Sequence, residues 1–198
     1  FWEGTLFVGS DDGYLYCLNA ATGKLLWKLR AGPRDDLVLG NERMISRWPV
    51  RGGAAIRDGN LYFAAGIWPT EGVYVYALNA KTGKVIWKND SSGSIYMGQP
   101  HGGANAASGV SSQGYLAVSS KRVFVATGRS VPAAFDRATG KFQYYHLQAN
   151  TSYGGSLIMV SDQFCLNQGM AFHRESGTRG DSLGGGAIAA IPDGIVRA

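Results

Sequence analysis

The sequence predicts an all-β fold, a β-propeller of four-stranded antiparallel blades, on three observations. Short stretches alternate apolar residues with period two, as in residues 73–78, where Val73, Val75 and Ala77 interleave with Tyr74, Tyr76 and Leu78. That pattern suits a strand buried on both faces. Turns centred on glycine and aspartate separate these stretches, as in Asp11-Asp12-Gly13 and Arg57-Asp58-Gly59. One hairpin recurs: CLNAATGKLLW (17–27), ALNAKTGKVIW (77–87) and AFDRATGKFQY (134–144), with a half copy, AFHRESG, at 171–177. The turn glycines Gly23, Gly83, Gly140 and Gly177 stand 60, 57 and 37 residues apart. Only the last interval approaches the roughly 40–50 residues of a single blade, so the longer ones imply insertions.

Taken in order, residues 5–8 and 14–18 form a first hairpin, and the repeat ending at Trp27 closes a partial blade over 1–28. Asp11 and Asp12 lack the further carboxylates of a calcium loop and read as turn residues. An insertion, 29–52, carries Arg30, Arg34, Arg43, Arg47 and Arg51 with Trp48-Pro49. A full blade over 53–88 has strands at 53–56, 61–65, 73–78 and 85–88. The second insertion, 89–114, is rich in Gly, Ser, Ala and Asn and reads as a loop. Its glycines match neither dinucleotide nor P-loop spacing. A third blade spans 115–145, with strands at 115–118, 123–127, 133–136 and 141–145. The fourth, 156–177, is degenerate and shows no clear fourth strand before Ser182. Residues 186–198 read as the start of another blade.

Composition agrees with a globular chain: 198 residues, 45% hydrophobic and 17% charged, with 29 glycines lacking any triplet period. The net charge of +5 and a pI near 9.3 favour anionic partners mildly. Lys and Arg are scattered without long runs, which excludes a nucleic-acid arm. No apolar run is long enough to span a bilayer. Cys17 and Cys165 permit one disulfide without requiring it, and Cys17 stands where the other repeats have alanine, so it reads as a small core residue.

The motif A-x-[DN]-x-x-T-G-K-x-x-W resembles the repeat of the quinoprotein-like (PQQ-repeat) β-propellers. That family includes pyrroloquinoline quinone (PQQ) dehydrogenases and a non-enzymatic propeller lipoprotein of the outer-membrane assembly machinery. The resemblance implies closure at seven or eight blades, so about four blades here imply a fragment whose remaining blades lie in the same polypeptide. It also implies a periplasmic or secreted location. A competing expectation is a small four-bladed closure, in which the inner strand near Gly186 completes the first blade. The repeated aromatics Trp27, Trp87 and Tyr144 read as structural, docking one blade on the next beside Gly23, Gly83 and Gly140, because a sheet cannot bury both faces alone.

In up-and-down blades both insertions open on one face, together with the connections 67–72, 128–132, 149–155 and 167–169, while the Thr-Gly turns lie on the other. Loops on a rigid scaffold concentrate function. The candidate ligand-binding residues are therefore Arg47, Trp48, Arg51, His101, Asn105, Arg129 and Tyr153, with Asn150 nearby. Arginine can hold anions in bidentate fashion, and Trp48 or Tyr153 can stack on a sugar or planar ring. His101 is the leading titratable candidate. His101, His146 and His173 lack zinc-site spacing, no nucleophile motif accompanies them, and neither a catalytic residue nor a metal ligand is assigned. Asn89 and Asn150 head glycosylation sequons.

Two functions follow as expectations. One is a non-catalytic binding or scaffold module for a protein or an anionic or extracellular polymer, without nucleic acid or membrane span. The other, carried by the resemblance, is part of a quinoprotein dehydrogenase oxidising alcohols or sugars with PQQ and calcium. Its adjacent-cysteine and Glu, Asn, Asp calcium sets have no counterpart in this stretch, which by itself supports no cofactor.

Overall fold

The computed structural model describes residues 1–40, 42–100, 102–128, 131–147, 155–161, 163–184, 188–191 and 194–197. Strands β1 (Thr5–Gly9), β2 (Tyr14–Asn19) and β3 (Leu25–Arg30) form a three-stranded antiparallel sheet. A separate hairpin, β4 (Leu37–Gly40) and β5 (Arg43–Ser46), follows. The second sheet is β6 (Ala55–Arg57), β7 (Asn60–Ala65), β8 (Tyr74–Asn79) and β9 (Val85–Asn89) in sequence order. Another hairpin, β10 (Ile95–Gly98) and β11 (Asn105–Ser108), leads to the third sheet: β12 (Ala117–Val118), β13 (Arg122–Val125), β14 (Ala133–Asp136) and β15 (Phe142–Tyr144). The fourth is β16 (Ile158–Val160), β17 (Phe164–Asn167), β18 (Met170–His173) and β19 (Arg179–Ser182). A last hairpin is β20 (Ile188–Ile191) and β21 (Gly194–Arg197). No helix among the described residues is long and apolar enough to cross a membrane.

Three features differ from the expectations. Both insertions contain a hairpin where the sequence suggested loop only. In 95–108 the strand residues include two alanines, an asparagine and serine, which carry little strand propensity, so pairing rather than composition makes the strand. The degenerate blade does have a fourth strand, Arg179–Ser182, whose RGDS sequence has no apolar alternation because it is an exposed edge. Finally, β20 pairs with β21 and does not join β1, so it leaves the first sheet three-stranded.

Period-two alternation places successive residues of one strand in different interfaces. On β7, Leu61 and Phe63 pack with Leu15 and Leu78 between the first and second sheets. Tyr62 and Ala64 pack with Val123, Val125 and Phe135 between the second and third. Phe124, Ala134, Cys165 and Phe172 fill the next interface. The innermost strands meet in the order β6, β12, β16, β20. This is the stacking of propeller blades.

The repeated turn is built by local chemistry. Asn79 Oδ1 accepts from the Thr82 backbone N–H at 3.0 Å and from the Thr82 hydroxyl at 3.0 Å, and Gly83, at φ +69°, donates its N–H to the Asn79 carbonyl at 2.9 Å. Asn19 and Asp136 repeat the arrangement. Beyond each turn a register shift, between Ala77 and Leu78 in the second sheet, re-aims the following strand. The aromatic four residues past each turn glycine then reaches the next sheet. Trp87 Nε1 donates to the Arg137 carbonyl at 2.9 Å, and the Tyr144 hydroxyl to the Arg174 carbonyl at 2.9 Å. Each ring lies over the following turn's glycine. A methyl group on Gly83 would stand 2.8 Å from the Trp27 ring, one on Gly177 2.5 Å from Tyr144, and one on Gly140 would overlap Trp87.

Gly140→Ala is therefore expected to cost more than Gly59→Ala. Both positions have positive φ, but nothing lies near a side chain at Gly59. Gly59→Ala should lose about 1 kcal/mol from backbone strain, and Gly140→Ala about 2 kcal/mol more through overlap with Trp87. Thermal melts should separate the two variants by roughly 4–8 °C, and equal melting temperatures would show that the ring does not bear on the glycine.

Candidate functional site

The insertion-bearing face is organised by the connection between β7 and β8. Trp68 leads into a single 3-10 turn, Pro69–Glu71, and Gly72 closes it at φ +100°. The proline supplies the φ that the turn needs and lacks an N–H that would go unsatisfied. Both insertions converge on this short segment. From the first, the Trp48 indole donates to the Glu71 carbonyl at 2.6 Å, and Arg47 Nη1 lies 3.1 Å from the Glu71 carboxylate. From the second, the Ser111 hydroxyl donates to the Ile67 carbonyl at 2.6 Å, while β11 packs against the turn.

Two arginine and carboxylate sets pin the first insertion. Arg47 Nε donates to Asp36 Oδ2 at 2.9 Å, and Arg34 Nη2 reaches the same oxygen at 2.9 Å. Those two hydrogen bonds, Arg47's the stronger, hold the Asp36 carboxyl below its usual range. Arg51 Nε donates to Asp11 Oδ1 at 2.6 Å, and Arg43 Nη2 to Asp11 Oδ2. Asp11 is likewise depressed, chiefly by its hydrogen bond from Arg51, with burial opposing. A cavity of about 420 Å³ between Gly9, Ser10, Arg43, Val50 and Arg51 opens beside this carboxylate. Trp48 is buried, edge-on to Tyr74 with ring centroids 6.2 Å apart, and Arg34 lies over its ring.

Of the sequence candidates, Arg47, Trp48 and Arg51 thus come together along one insertion, each with an internal partner. Asn105 stands apart from them in sequence, at the start of β11 opposite Gly98 on the second hairpin. His101, Arg129, Asn150 and Tyr153 lie outside the described residues. Asn89 of the first sequon is buried, its amide donating to the Gly140 carbonyl at 3.0 Å. His146 Nε2 is 3.0 Å from the Ser176 carbonyl. Among the described residues no three His, Cys, Asp or Glu side chains converge as a metal site. Cys17 and Cys165 are free and buried on β2 and β17, and burial pushes both thiols up.

Sequence reasoning missed two features. Asp12 accepts from the Tyr14 N–H at 3.0 Å as a turn residue should, but Asp11 is the shared acceptor of two arginines. A second acid beyond what a hairpin turn needs was the available signal. The second is apolar exposure on the β4–β5 hairpin, where Leu39 is 77% and Met44 58% exposed. Leu39 and Trp68 border a groove of about 300 Å³ between the hairpin and the Pro69–Glu71 turn, lined also by Val38, Arg47 and Thr70. A surface with this much exposed aliphatic side chain is suited to contact with another macromolecule.

Comparison with known proteins agrees with the fold. A family model described as outer membrane protein assembly factor BamB matches residues 1–47 and 36–183. Tetrathionate hydrolase of Acidithiobacillus ferrooxidans is 32% identical over 108 residues, 54% of this chain and 18% of that protein. The dehydrogenase subunit of the quinone alcohol dehydrogenase of Gluconacetobacter polyoxogenes is 34% identical over 90 residues, 44% of this chain and 12% of that subunit. This alignment therefore spans only a small part of the curated relatives. The crystal structure of BamB from Moraxella catarrhalis aligns with a TM-score of 0.62 and 18% identity, covering 96% of this chain and 51% of that one.

The depressed Asp11 carboxyl sets a pH dependence. Because its folded value lies below the unfolded one, its contribution is complete above the unfolded carboxylate range and disappears as pH falls through the folded value. Asp11→Asn should lower stability by about 1 kcal/mol at pH 7, near 2–4 °C in melting temperature. The gap to the parent protein should hold down to about pH 5 and close below about pH 4, as followed by thermal melts across that range.

Proposed function

The chain belongs to the family described as outer membrane protein assembly factor BamB, and from that premise we propose that it is a non-catalytic PQQ-like repeat propeller acting as a binding or scaffold module. Its insertion-bearing face holds a protein or an extracellular polymer. The observation that carries this reading is the β4–β5 hairpin, whose Leu39 and Met44 stand in solvent, Leu39 at the rim of a groove, while the neighbouring arginines are occupied by Asp36, Glu71 and Asp11. A rigid base with an apolar exposed edge fits a broad partner surface better than an enclosed small-molecule pocket. The proposal includes a periplasmic or secreted location and further blades of the same polypeptide as intramolecular partners.

A second reading, part of a quinoprotein dehydrogenase for alcohols or sugars, is favoured by the 34% identity to the alcohol dehydrogenase subunit. The described residues do not fit calcium, since no set of three acidic, histidine or cysteine side chains converges, and the two cysteines lie buried on strands of different sheets. In that reading residues beyond those described supply the PQQ and calcium ligands.

Reconstitution separates the two. With PQQ and calcium added, the protein is expected to show no dye-linked oxidation of ethanol or glucose and a melting temperature within about 1 °C of the untreated sample. Turnover above the untreated control would overturn the scaffold reading and favour the second.

A further inference from the structure

On the opposite face, beside the Thr-Gly turns, the second and third sheets part around a cavity of about 380 Å³. Tyr62, Ile86 and Trp87 wall it from the second sheet, and Lys121, Arg122 and Arg137 from the third. The repeat makes this interface informative, because equivalent positions can be compared. The Arg137 N–H donates to the Lys121 carbonyl as Ala80 N–H does to Gly59 and Arg174 N–H to Gln163. Arg122 pairs with Asp136 across the strands as Asn60 pairs with Asn79 and Phe164 with His173. The three cations of this cavity thus correspond to Gly59, Asn60 and Ala80 in the second sheet, and to Gln163, Phe164 and Arg174 in the fourth. Three basic side chains meet only in the third.

The groups left unspent in the cavity are donors. Tyr62 is 1% exposed, and its hydroxyl has no hydrogen-bond partner among the described residues. Among the described residues Arg122 Nε is buried without a partner, although its terminal nitrogens reach Asp136 at 3.6 Å and Glu175 at 2.8 Å. Arg137 is held by Asp58 at 2.6 Å, whereas the Lys121 ammonium has no carboxylate partner among the described residues. The one acid in the lining, Asp136, is already engaged by the Thr139 hydroxyl and backbone N–H, by the Ala138 N–H and by Arg122. A buried guanidinium N–H without an acceptor is costly unless something supplies one, and the Tyr62 hydroxyl at the cavity wall is free to donate to the same acceptor.

We propose that this inter-blade cleft is a binding site for a small organic carboxylate with an aromatic or aliphatic body. The carboxylate accepts from Lys121, Arg122 Nε and the Tyr62 hydroxyl, and the body lies against Trp87 and Ile86. Charge and acceptor capacity come from one end of such a ligand and apolar surface from the other, which matches the division of the lining. The site faces away from the insertions and does not rest on the scaffold reading.

Titration calorimetry with 2-naphthoate, 2-naphthamide and inorganic phosphate as probes tests it. Naphthoate should bind with submillimolar affinity, and the uncharged amide and the bodiless phosphate each about tenfold or more weaker. Lys121→Ala should weaken naphthoate about tenfold and Tyr62→Phe about threefold, with the melting temperature of the Lys121→Ala protein unchanged because that side chain is exposed. Equal affinity for naphthoate and its amide, phosphate binding as tightly as naphthoate, no binding at about 5 mM, or unchanged affinity in Lys121→Ala would each overturn the proposal.

Discussion

The structure depends on one repeated contact: an aromatic ring from the outer strand of one sheet lying over the turn glycine of the next. A blade has two apolar faces and no means of covering either by itself. The ring covers apolar surface near the outer edge, where strands diverge, and its indole or phenol hydrogen directs it to a single backbone carbonyl, that of Arg137 or Arg174. The glycine serves two ends at once. It adopts the positive φ that the Asn-Thr turn imposes, and its missing side chain leaves the ring room to sit down. Trp27 makes the ring contact with Gly83, yet its indole nitrogen is buried without an acceptor among the described residues, so this aromatic lacks the ring-to-carbonyl bond that Trp87 and Tyr144 make.

With the blades held this way, the two faces of the assembly become different surfaces. The Thr-Gly face is made of short turns that build their own hydrogen bonds and also accept from the preceding sheet, as Arg137 and Gly140 do from Trp87 and Asn89. The other face carries long insertions that need their own support. They obtain it from the Ile67–Gly72 connection and from two aspartates that each gather two arginines. Those ion pairs are partly exposed, so each contributes modestly to stability. Their larger effect is positional: they hold the insertion down while the tip of its hairpin keeps Leu39 and Met44 in solvent.

How much of this was legible in the sequence differs by residue. The strands at β7, β8 and β14 could be read from their apolar runs, since both faces are buried over most of their length and every position but the terminal Asn60, Asn79 and Asp136 is apolar. Strand β19 could not, because an exposed edge strand of Arg, Gly, Asp and Ser carries no periodicity. Arg47 and Arg51 stood out as side chains able to bind anions. Their partners did not, because Asp11 read as a hairpin-turn residue, and nothing local indicates that a residue 40 positions away will complete the pair. The cleft between Tyr62 and Lys121 was equally hidden, since its two walls come from different repeats and neither wall alone contains a motif.

The sequence by itself determined the all-β class, the turn geometry and the repeat. Those features rest on interactions within a few residues, such as Asn79 capping Thr82 and Gly83, and local chemistry is written contiguously in the chain. Only the tertiary structure decided which arginine meets which aspartate, that Trp48 is buried while Leu39 is exposed, and that three cations share one cavity. Each depends on contacts between segments tens of residues apart, where stacking geometry, not local pattern, selects the neighbours.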